Sequence, residues 1–545
     1  MLLKSSFTPI FLVQTPKSKA QKLHHAFTKT FFTNSTPPVR HNASLNVATP
    51  PPASSAYIHL PFCRKRCHYC DFPIVALGSA STQTHHDPRV SNYIDWLCRE
   101  ITATKVDQPA STTPLQTVYF GGGTPSLVPP AMVSSVLESL RVKFGLCKDA
   151  EISMEMDPGT FGAEKMRKMI ALGVNRVSLG VQAFQEELLR ACGRAHGVQE
   201  VHEAISVVKS CGVENWSIDL IASLPHQSCE MWEESLRLTI ESQPSHVSVY
   251  DLQIEQGTKF GRFYFLLHCR QQGFKLQLQL PLCNDLLYCE KLRTDTLYKL
   301  PFLTVSRIAM KLSLQFETLI SDLAEYSPGE FPMPSETQSA EFYKMASRML
   351  TDANYNHYEI SSYCKSGYEC KHNFIYWKNE PFYAFGLGSA SFVGGLRYSR
   401  PRKVNDYINF VQNLENGLVD SSGDGNINAK DMAMDVVMLS LRTAQGLDLK
   451  SFQESFGSSV VLSLLEAYKP YVESGLVVCM DEHRRTIMDD LNYSFLYKTN
   501  TEKRVAYIRL SDPEGFLLSN ELIALAFGVI DSWKACPQYQ EAKAT

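Results

Sequence analysis

Short apolar runs alternate with amphipathic segments over the first half of the chain. Six of these runs have the length and composition of buried strands, at 56–60, 117–120, 151–156, 176–182, 216–221 and 246–252. Helix-like segments lie between them, at 93–106, 131–144, 162–172, 199–211 and 229–240. Strands that alternate with helices at this spacing predict parallel βαβ units. The predicted fold class is therefore α/β.

Polar residues gather at the ends of these strands, and their position separates a barrel from a doubly wound sheet. A cysteine-rich loop follows the first strand and a glycine run follows the second. Glu155, Gln182 and Asp219 come at the ends of the third, fourth and fifth strands. In a barrel the carboxyl ends of the strands converge on one mouth, where the loops build the site. We therefore predict a partial (β/α)6-type barrel.

The second half of the chain has a different pattern. Residues 335–350 are predicted to be helical, because Ser335 precedes Gln338 by three positions as in a capping box. The runs 358–363, 372–377 and 385–395 predict strands and loops. Beyond about 430 the helical period dominates, with a short strand after Gly475, which predicts a small, mainly helical, winged-helix-like C-terminal domain.

These patterns divide the chain into five parts: an N-terminal segment at 1–55, the barrel core at 56–262, an anomalous insertion at 263–326, the remainder of the barrel domain at 327–425 and the C-terminal domain at 426–545. The insertion holds sixteen leucines that follow no sustained period, so we expect it to pack poorly. One hypothesis is a retained intron translated in frame; the other is a genuine lineage-specific insertion.

The N-terminal segment is basic and free of acidic residues, since Asp71 is the first acidic residue of the chain. It is also rich in serine and threonine. This composition predicts an organelle transit peptide, with a plain disordered tail as the alternative. The scarcity of arginine favours the chloroplast over the mitochondrion.

The composition of the whole chain excludes some partners. It is 44% hydrophobic and 20% charged with a net charge of −3, so no clustered excess of lysine and arginine indicates a nucleic acid partner. No uninterrupted apolar run reaches the length of ~18 residues, so we predict no membrane span. The fifteen cysteines are unevenly spaced and odd in number, which favours a reducing compartment over a disulfide scaffold.

The densest group of cysteines lies in the loop 63–70, where Cys63, Cys67 and Cys70 have the spacing C-x3-C-x2-C. Three thiolates on one loop suit a [4Fe–4S] cluster that keeps one iron free of protein ligands. A Cys3His zinc site with His59 or His68 is the alternative. No second pair of cysteines has the spacing of a zinc ribbon, which favours the cluster.

The run YIHLPFCRKRCHYCDF after the first strand, followed by GGGTPS after the second, resembles the radical S-adenosylmethionine (SAM) superfamily. Within it, the chain is most similar to the branch of HemN-type oxygen-independent coproporphyrinogen III oxidases and HemW-type haem chaperones. The resemblance covers about 56–262 and 327–490. It implies that SAM chelates the open iron and that an electron from the cluster cleaves SAM to a 5′-deoxyadenosyl radical.

The resemblance also implies the residues that surround these groups. The three loop cysteines would bind the cluster. Residues implied at the cluster and SAM are Tyr57, Tyr69, Gly122, Gly123, Thr124, Glu155, Gln182, Arg194 and Asp219. Acids, an amide and a guanidinium match the ammonium, ribose and carboxylate groups of SAM.

Two features favour the chaperone branch over the oxidase branch. Oxidases carry a fourth cysteine at the position that Phe72 occupies here. Chaperone-type relatives carry an H-N-x-x-Y-W signature associated with haem, which implies haem contacts for His372, Tyr376 and Trp377. Relatives often have a histidine in the later glycine loop, where this chain has Ala390.

We therefore expect a haem-binding chaperone that passes haem to an unidentified acceptor protein, and we assign no catalytic residue. The enzymatic alternative is oxidative decarboxylation of coproporphyrinogen III, an activity that this chain is expected to lack. A third alternative is a structural iron–sulfur or zinc protein that neither cleaves SAM nor carries haem.

Overall fold

The fold is seen in a computed structural model that describes residues 52–78, 87–106, 113–264, 332–418, 428–487 and 505–533. The predicted transit peptide, apart from its last residues, and nearly all of the predicted insertion lie outside the described residues.

The strands are β1 (Ser55–Leu60), β2 (Phe62–Cys63), β3 (Val75–Ala76), β4 (Leu115–Gly122), β5 (Leu146–Met156), β6 (Arg176–Gln182), β7 (Trp216–Ala222), β8 (His246–Asp251), β9 (Asn356–Glu359), β10 (Ser362–Cys364), β11 (Tyr383–Phe385), β12 (Ala390–Val393), β13 (Leu396–Ser399), β14 (Leu447–Asp448), β15 (Val477–Met480) and β16 (Tyr507–Leu510).

The helices are α1 (Pro88–Ala103), α2 (Pro130–Phe144), α3 (Ala163–Ala171), α4 (Glu186–Ala191), α5 (Val198–Ser210), α6 (Cys229–Ser242), α7 (Glu336–Asp352), α8 (Lys371–Trp377), α9 (Val404–Glu415), α10 (Ala429–Leu441), α11 (Leu449–Phe456), α12 (Ser458–Glu473), α13 (Glu514–Leu517) and α14 (Ser519–Ser532).

One curved sheet of nine strands forms the body, in the order β11-β1-β4-β5-β6-β7-β8-β10-β9. The six strands predicted from the first half of the chain pair in parallel, in chain order. Strand β11 extends the parallel part beside β1, whereas β10 pairs antiparallel with β8. No pairing among the described residues joins β9 to β11, so the sheet is open and the predicted partial barrel is confirmed.

Helix α1 shows why the predicted helices form. It begins at Pro88, where a missing N–H costs nothing, and Asp87 caps it by accepting a hydrogen bond from the Arg89 N–H. Its buried face includes Tyr93 and Leu97, which pack in the main core against the sheet. Helix α7 has the predicted capping box between Ser335 and Gln338.

The prediction for 372–377 was wrong, because this run is the helix α8 rather than strand and loop. Its aromatic residues favour strands in isolation. Tertiary contacts favour the helix, since His372 Nδ1 lies 2.9 Å from the Ser55 hydroxyl and 2.8 Å from the Thr117 hydroxyl. Within the helix, His372 Nε2 lies 2.8 Å from the hydroxyl of Tyr376, one turn away. The Phe374 N–H donates to the Cys370 carbonyl and the Lys378 N–H to the Phe374 carbonyl, so the helical hydrogen bonds are made.

The C-terminal part contains α10 to α14 and a three-stranded antiparallel sheet in the order β14-β16-β15. Strand β15 follows Gly475, as the sequence predicted. This part has its own hydrophobic core, which also takes in Trp377 from α8. The mainly helical C-terminal domain is therefore confirmed as a fold.

Over the part of the chain that the structure describes, we find no helix with the length and apolar character needed to span a lipid bilayer.

A buried ion pair fastens the second half of the chain to α1. Arg400 Nε donates to Glu100 Oε1 at 2.7 Å, and the Tyr407 hydroxyl donates to Glu100 Oε2 at 2.6 Å. The Gly386 N–H donates to the same oxygen at 2.8 Å. Both charged side chains are almost fully buried. Removal of one partner therefore leaves an uncompensated charge in the interior.

We predict that Arg400→Ala lowers the free energy of unfolding by about 3–5 kcal/mol, the typical loss when a buried pair loses one partner. Arg141→Ala is the matched control, because Arg141 pairs with Glu138 on an exposed helix face. The control should lose less than about 1 kcal/mol. Urea denaturation followed by circular dichroism measures both losses, and equal losses would contradict the prediction.

Candidate functional site

The three cysteines of the loop 63–70 lie at the carboxyl end of β1, each of them half-buried. Cys63 ends the short strand β2, which pairs with β3 and so closes the loop on itself. The Cys70 N–H donates to the Cys67 carbonyl at 3.2 Å, which forms a tight turn between the second and third thiols. Within the described ranges, no group of three or more His, Cys, Asp or Glu side chains is placed to hold a single metal ion.

The donor set around the thiols fits an iron–sulfur cluster. The Thr124 hydroxyl donates to Cys63 Sγ at 3.6 Å, and Arg194 Nη1 donates to Cys67 Sγ at 3.4 Å. Burial raises the pKa of Cys63 to about 12 and that of Cys70 to about 11. Cationic metal centres remove such protons, and hydrogen bonds to the sulfurs tune the cluster that results.

The two histidines of the zinc alternative are already engaged. His59 Nε2 lies 3.1 Å from the Pro73 carbonyl and its Nδ1 lies 3.3 Å from the Tyr57 hydroxyl. His68 Nδ1 lies 2.9 Å from the Ala191 carbonyl.

The glycine run after β4 lies directly against the thiol loop. Gly122 has a φ of +112°, and a Cβ there would lie 2.6 Å from the His59 ring. A Cβ on Gly123 would lie 2.7 Å from the Phe62 carbonyl oxygen. The Thr124 N–H donates to that same carbonyl at 2.6 Å. Only residues without a side chain allow the two loops to approach this closely.

Glu155 sits at the end of β5 and faces the glycine run. Its Oε2 accepts from the Gly122 N–H at 3.1 Å and its Oε1 accepts from the Tyr119 hydroxyl at 3.2 Å. Burial, with the nearby carboxyl of Asp219, raises the pKa of Glu155 to about 7. At neutral pH this carboxyl is therefore poised between its neutral and its charged form.

Asp219 and Gln182 belong to the next two strands. Asp219 lies in the middle of β7, so its predicted position at the strand end was wrong. Its Oδ2 accepts from the Ser178 hydroxyl at 2.8 Å and its Oδ1 from the Ser217 hydroxyl at 3.2 Å. Burial raises its pKa. Gln182 ends β6 with a φ of +70°, a left-handed conformation that is unusual outside glycine. Such strained residues cluster at functional sites.

Arg194 connects the thiol loop to the sheet. Besides Cys67, its Nη1 donates to the Tyr69 hydroxyl at 3.0 Å, and its Nη2 donates to the Gly180 carbonyl at 3.0 Å and to Asp157. Tyr69 is thus held inside the loop by the same guanidinium. Tyr57 lies on β1, where its ring stacks on that of Tyr119 with the ring centroids 6.2 Å apart.

The H-N-x-x-Y-W residues lie at the other end of the barrel. His372 Nδ1 lies 2.9 Å from the Ser55 hydroxyl and 2.8 Å from the Thr117 hydroxyl, near the starts of β1 and β4. Its Nε2 contacts Tyr376, so both ring nitrogens have hydroxyl partners. Burial lowers the pKa of His372 to about 3, which keeps the imidazole neutral. Trp377 is buried in the C-terminal core.

Sequence analysis missed two residues of this region. Asp157 contacts Arg64, Arg194 and His196, although only its neighbour Glu155 was singled out in the run EMDP. Tyr119 links Glu155 to His372, since its hydroxyl donates to Glu155 and its ring stacks on His372 at 5.2 Å. Asp157 directly follows β5, which was the available signal, whereas Tyr119 lies within β4.

Two family models match the chain. The model described as the radical SAM superfamily matches residues 57–239, and the model described as the HemN C-terminal domain matches residues 427–485.

Several curated proteins are similar to the chain over much of their length. A heme chaperone HemW from Synechocystis sp. is 32% identical over 487 residues, which cover 89% of this chain and 99% of that protein. The heme chaperone HemW of Escherichia coli is 30% identical, with coverage of 66% and 76%. The zebrafish (Danio rerio) protein named radical S-adenosyl methionine domain-containing protein 1, mitochondrial, is 27% identical, with coverage of 62% and 60%.

Among solved structures, the coproporphyrinogen III oxidase HemN of Escherichia coli, which is described as a radical SAM enzyme, has a fold similar to that of this chain. The TM-score is 0.60 at 18% identity, and the match covers 89% of this chain and 91% of that chain. This likeness confirms the radical SAM fold that the sequence predicted.

We predict that Glu155 makes stability depend on pH in the protein without bound ligands. A carboxyl whose pKa is raised on folding stabilises the folded state while it keeps its proton. This contribution is complete below the ordinary value of 4.5 and is lost as the pH rises through about 7. The free energy of unfolding of the wild type should therefore fall over this window relative to that of Glu155→Gln.

Urea denaturation of both proteins between these pH values measures the difference. Glu203→Gln is the control, since Glu203 is exposed on α5. Parallel pH profiles for the wild type and Glu155→Gln would show that the carboxyl does not hold its proton in the fold.

Proposed function

The chain belongs to the HemW family of the radical SAM superfamily, and we propose that it is a haem chaperone that carries a [4Fe–4S] cluster and SAM. Its similarity to a heme chaperone HemW over nearly the full length of that protein carries this proposal. Phe72 stands where oxidases of the superfamily have a fourth cysteine, which supports the chaperone over the oxidase.

Cys63, Cys67 and Cys70 are the residues that we propose to hold the cluster. When bound, a cluster with SAM supplies one-electron chemistry that generates a carbon radical. The residues of the chain have the tasks of binding and orientation. The Thr124 hydroxyl donates to Cys63 and the Arg194 guanidinium donates to Cys67.

We assign SAM to the space between the glycine run and the strand ends. The close approach of Gly122 and Gly123 to the thiol loop places this backbone beside the thiols, and the Gly122 N–H donates to Glu155 there. Glu155, Gln182 and Asp219 lie on successive strands beside it and offer carboxyl and amide groups to the ammonium and ribose hydroxyls. A Glu155 carboxyl that ionises near neutral pH suits a cationic ligand.

We assign the haem iron to His372, the histidine of the H-N-x-x-Y-W run. Its imidazole is neutral, which is the form in which a histidine could bind the iron. Nε2 contacts the Tyr376 hydroxyl, so Tyr376 would have to release this nitrogen if it bound iron. Trp377, the next residue of α8, is buried in the C-terminal core.

We further propose delivery to an organelle through residues 1–55, on the basis of their basic, acid-free composition. The similarity to a cyanobacterial protein supports the chloroplast, and the zebrafish relative named as mitochondrial keeps the mitochondrion as the alternative.

For residues 263–326 we retain the hypothesis of a translated intron. Transcripts that carry this stretch at full abundance would refute it.

We predict that replacing Cys63, Cys67 and Cys70 together by alanine abolishes the visible absorbance of the anaerobically reconstituted chain, because the cluster loses its ligands. Cys98→Ala is the matched control, since Cys98 is also a half-buried free cysteine but lies on α1, outside the loop. Iron and sulfide analysis accompanies the spectra. Zinc in place of iron in the wild type would support the zinc alternative instead.

We predict that haem added to the reconstituted chain produces a Soret band, and that His372→Ala weakens haem binding by about tenfold or more, or about 1.4 kcal/mol. His246→Ala is the matched control. His246 is equally buried and also has hydroxyls at both nitrogens, Ser217 at 2.9 Å and Tyr358 at 2.8 Å.

Equal weakening in the two histidine variants would reduce the role of His372 to packing. The same preparations are incubated with coproporphyrinogen III, SAM and a reductant. No conversion is expected, and formation of protoporphyrinogen would establish the oxidase alternative in place of the chaperone.

A further inference from the structure

Asp157, which directly follows β5, is the centre of a small group of charged side chains. We call Arg64, Asp157, Arg194 and His196 the Asp157 ion cluster. Arg64 Nη2 donates to Asp157 Oδ2 at 3.3 Å, and Arg194 Nη2 donates to Oδ1. His196 Nδ1 lies 3.3 Å from Oδ1. The carboxylate therefore has partners on both oxygens.

The members of the Asp157 ion cluster come from three separate segments. Arg64 directly follows the first cysteine of the thiol loop, and Arg194 and His196 belong to the connection between α4 and α5. The Asp157 N–H also donates to the Ser126 hydroxyl at 3.0 Å, which ties the turn to the segment after the glycine run. The carboxylate of Asp157 thus joins the thiol loop to the connection between α4 and α5, and its main-chain N–H adds the segment after the glycine run.

The charges of the Asp157 ion cluster are largely withdrawn from water. The exposed fraction of the side chain is 15% for Asp157, 11% for Arg194 and 18% for Arg64. Although burial alone would raise it, the pKa of Asp157 is lowered to about 2 by Arg194, His196 and Arg64. The carboxylate is therefore ionised at every physiological pH and holds its partners in place.

Arg194 carries this constraint to the thiol loop. Its guanidinium is planar, so a fixed Nη2 also fixes the position of Nη1. Nη1 donates to Cys67 Sγ at 3.4 Å and to the Tyr69 hydroxyl at 3.0 Å. The Gly180 carbonyl accepts from Nη2 as well, but a neutral carbonyl does not balance the buried positive charge.

We propose that Asp157 is a positioning residue, which holds the Arg194 guanidinium against Cys67 and thereby raises the reduction potential of the cluster. This inference rests on the cluster of the proposed function. A hydrogen bond from a cation to a ligand sulfur stabilises the more negative, reduced state of the cluster. Without Asp157 the guanidinium loses its balancing charge and moves from Cys67 toward water.

A simple charge effect gives the opposite sign. If Asp157 acted only through its negative charge, its removal would make the surroundings of the cluster more positive and would raise the potential. If it acts by positioning Arg194, its removal weakens the donor to Cys67 and lowers the potential. The direction of the change therefore separates the two roles.

The test is a redox titration of the reconstituted full-length chain, followed by electron paramagnetic resonance. Asp157→Ala should lower the midpoint potential of the cluster. In a chain that already carries Arg194→Gln, adding Asp157→Ala should cause no further decrease. Asp157→Asn, which keeps the shape of the side chain, should shift the potential in the same direction and carries the test if the alanine variant does not fold. Asp435→Ala is the control, because Asp435 pairs with Arg397 at the same 3.3 Å, on α10.

A raised potential in Asp157→Ala or Asp157→Asn would overturn the inference, as would equal shifts with and without Arg194→Gln. An unchanged potential in both Asp157 variants, with a normal cluster, would overturn this inference and leave the proposed function intact. A wild-type chain that assembles no cluster would overturn the proposed function and this inference with it.

Discussion

The parallel pairing of β1 with β4 is the constraint on which the candidate site depends. Its register places Leu60 opposite Gly122, so the thiol loop and the glycine run leave the sheet side by side. The His59 ring fills the space where a Cβ of residue 122 would stand. Because the two loops touch, the Thr124 hydroxyl reaches Cys63 and Glu155 reaches the glycine backbone. A larger residue at 122 would separate the loops and so remove both contacts.

Burial acts in two opposite ways at this mouth of the barrel. Glu155 and Asp219 have no cationic partner within hydrogen-bonding distance among the described residues, so burial favours their neutral forms. Asp157 has two guanidinium groups beside it and stays ionised. The carboxyl groups of Glu155 and Asp219, on the side of the glycine run, are therefore shifted toward their neutral forms. Asp157 and its two arginines, on the side of the thiols, stay charged. A cationic ligand gains most on the first side, whereas a cluster with anionic sulfurs gains most on the second.

Much of the fold could be predicted, because the six parallel strands are buried on both faces and leave long apolar runs between amphipathic helices. The strand-end position of Glu155 and the spacing of the three cysteines were equally visible. Helix α8 could not be predicted, because its aromatic residues favour strands, and the Ser55 and Thr117 hydroxyls that contact His372 lie far away in the chain. Asp157 was missed for the same reason: its partners lie up to 93 residues away in the chain.

The two ends of the barrel interior are connected through Tyr119. Its hydroxyl donates to Glu155 at the mouth, while its ring stacks on His372 at the base, beside α8. The Tyr119 hydroxyl also helps to lower the pKa of Glu155 against the effect of burial. One rigid ring therefore contacts both His372, the residue that we propose for haem, and Glu155, a residue that we propose for SAM. Because the ring has no freedom to bend, a change in its position would alter its contacts at both ends.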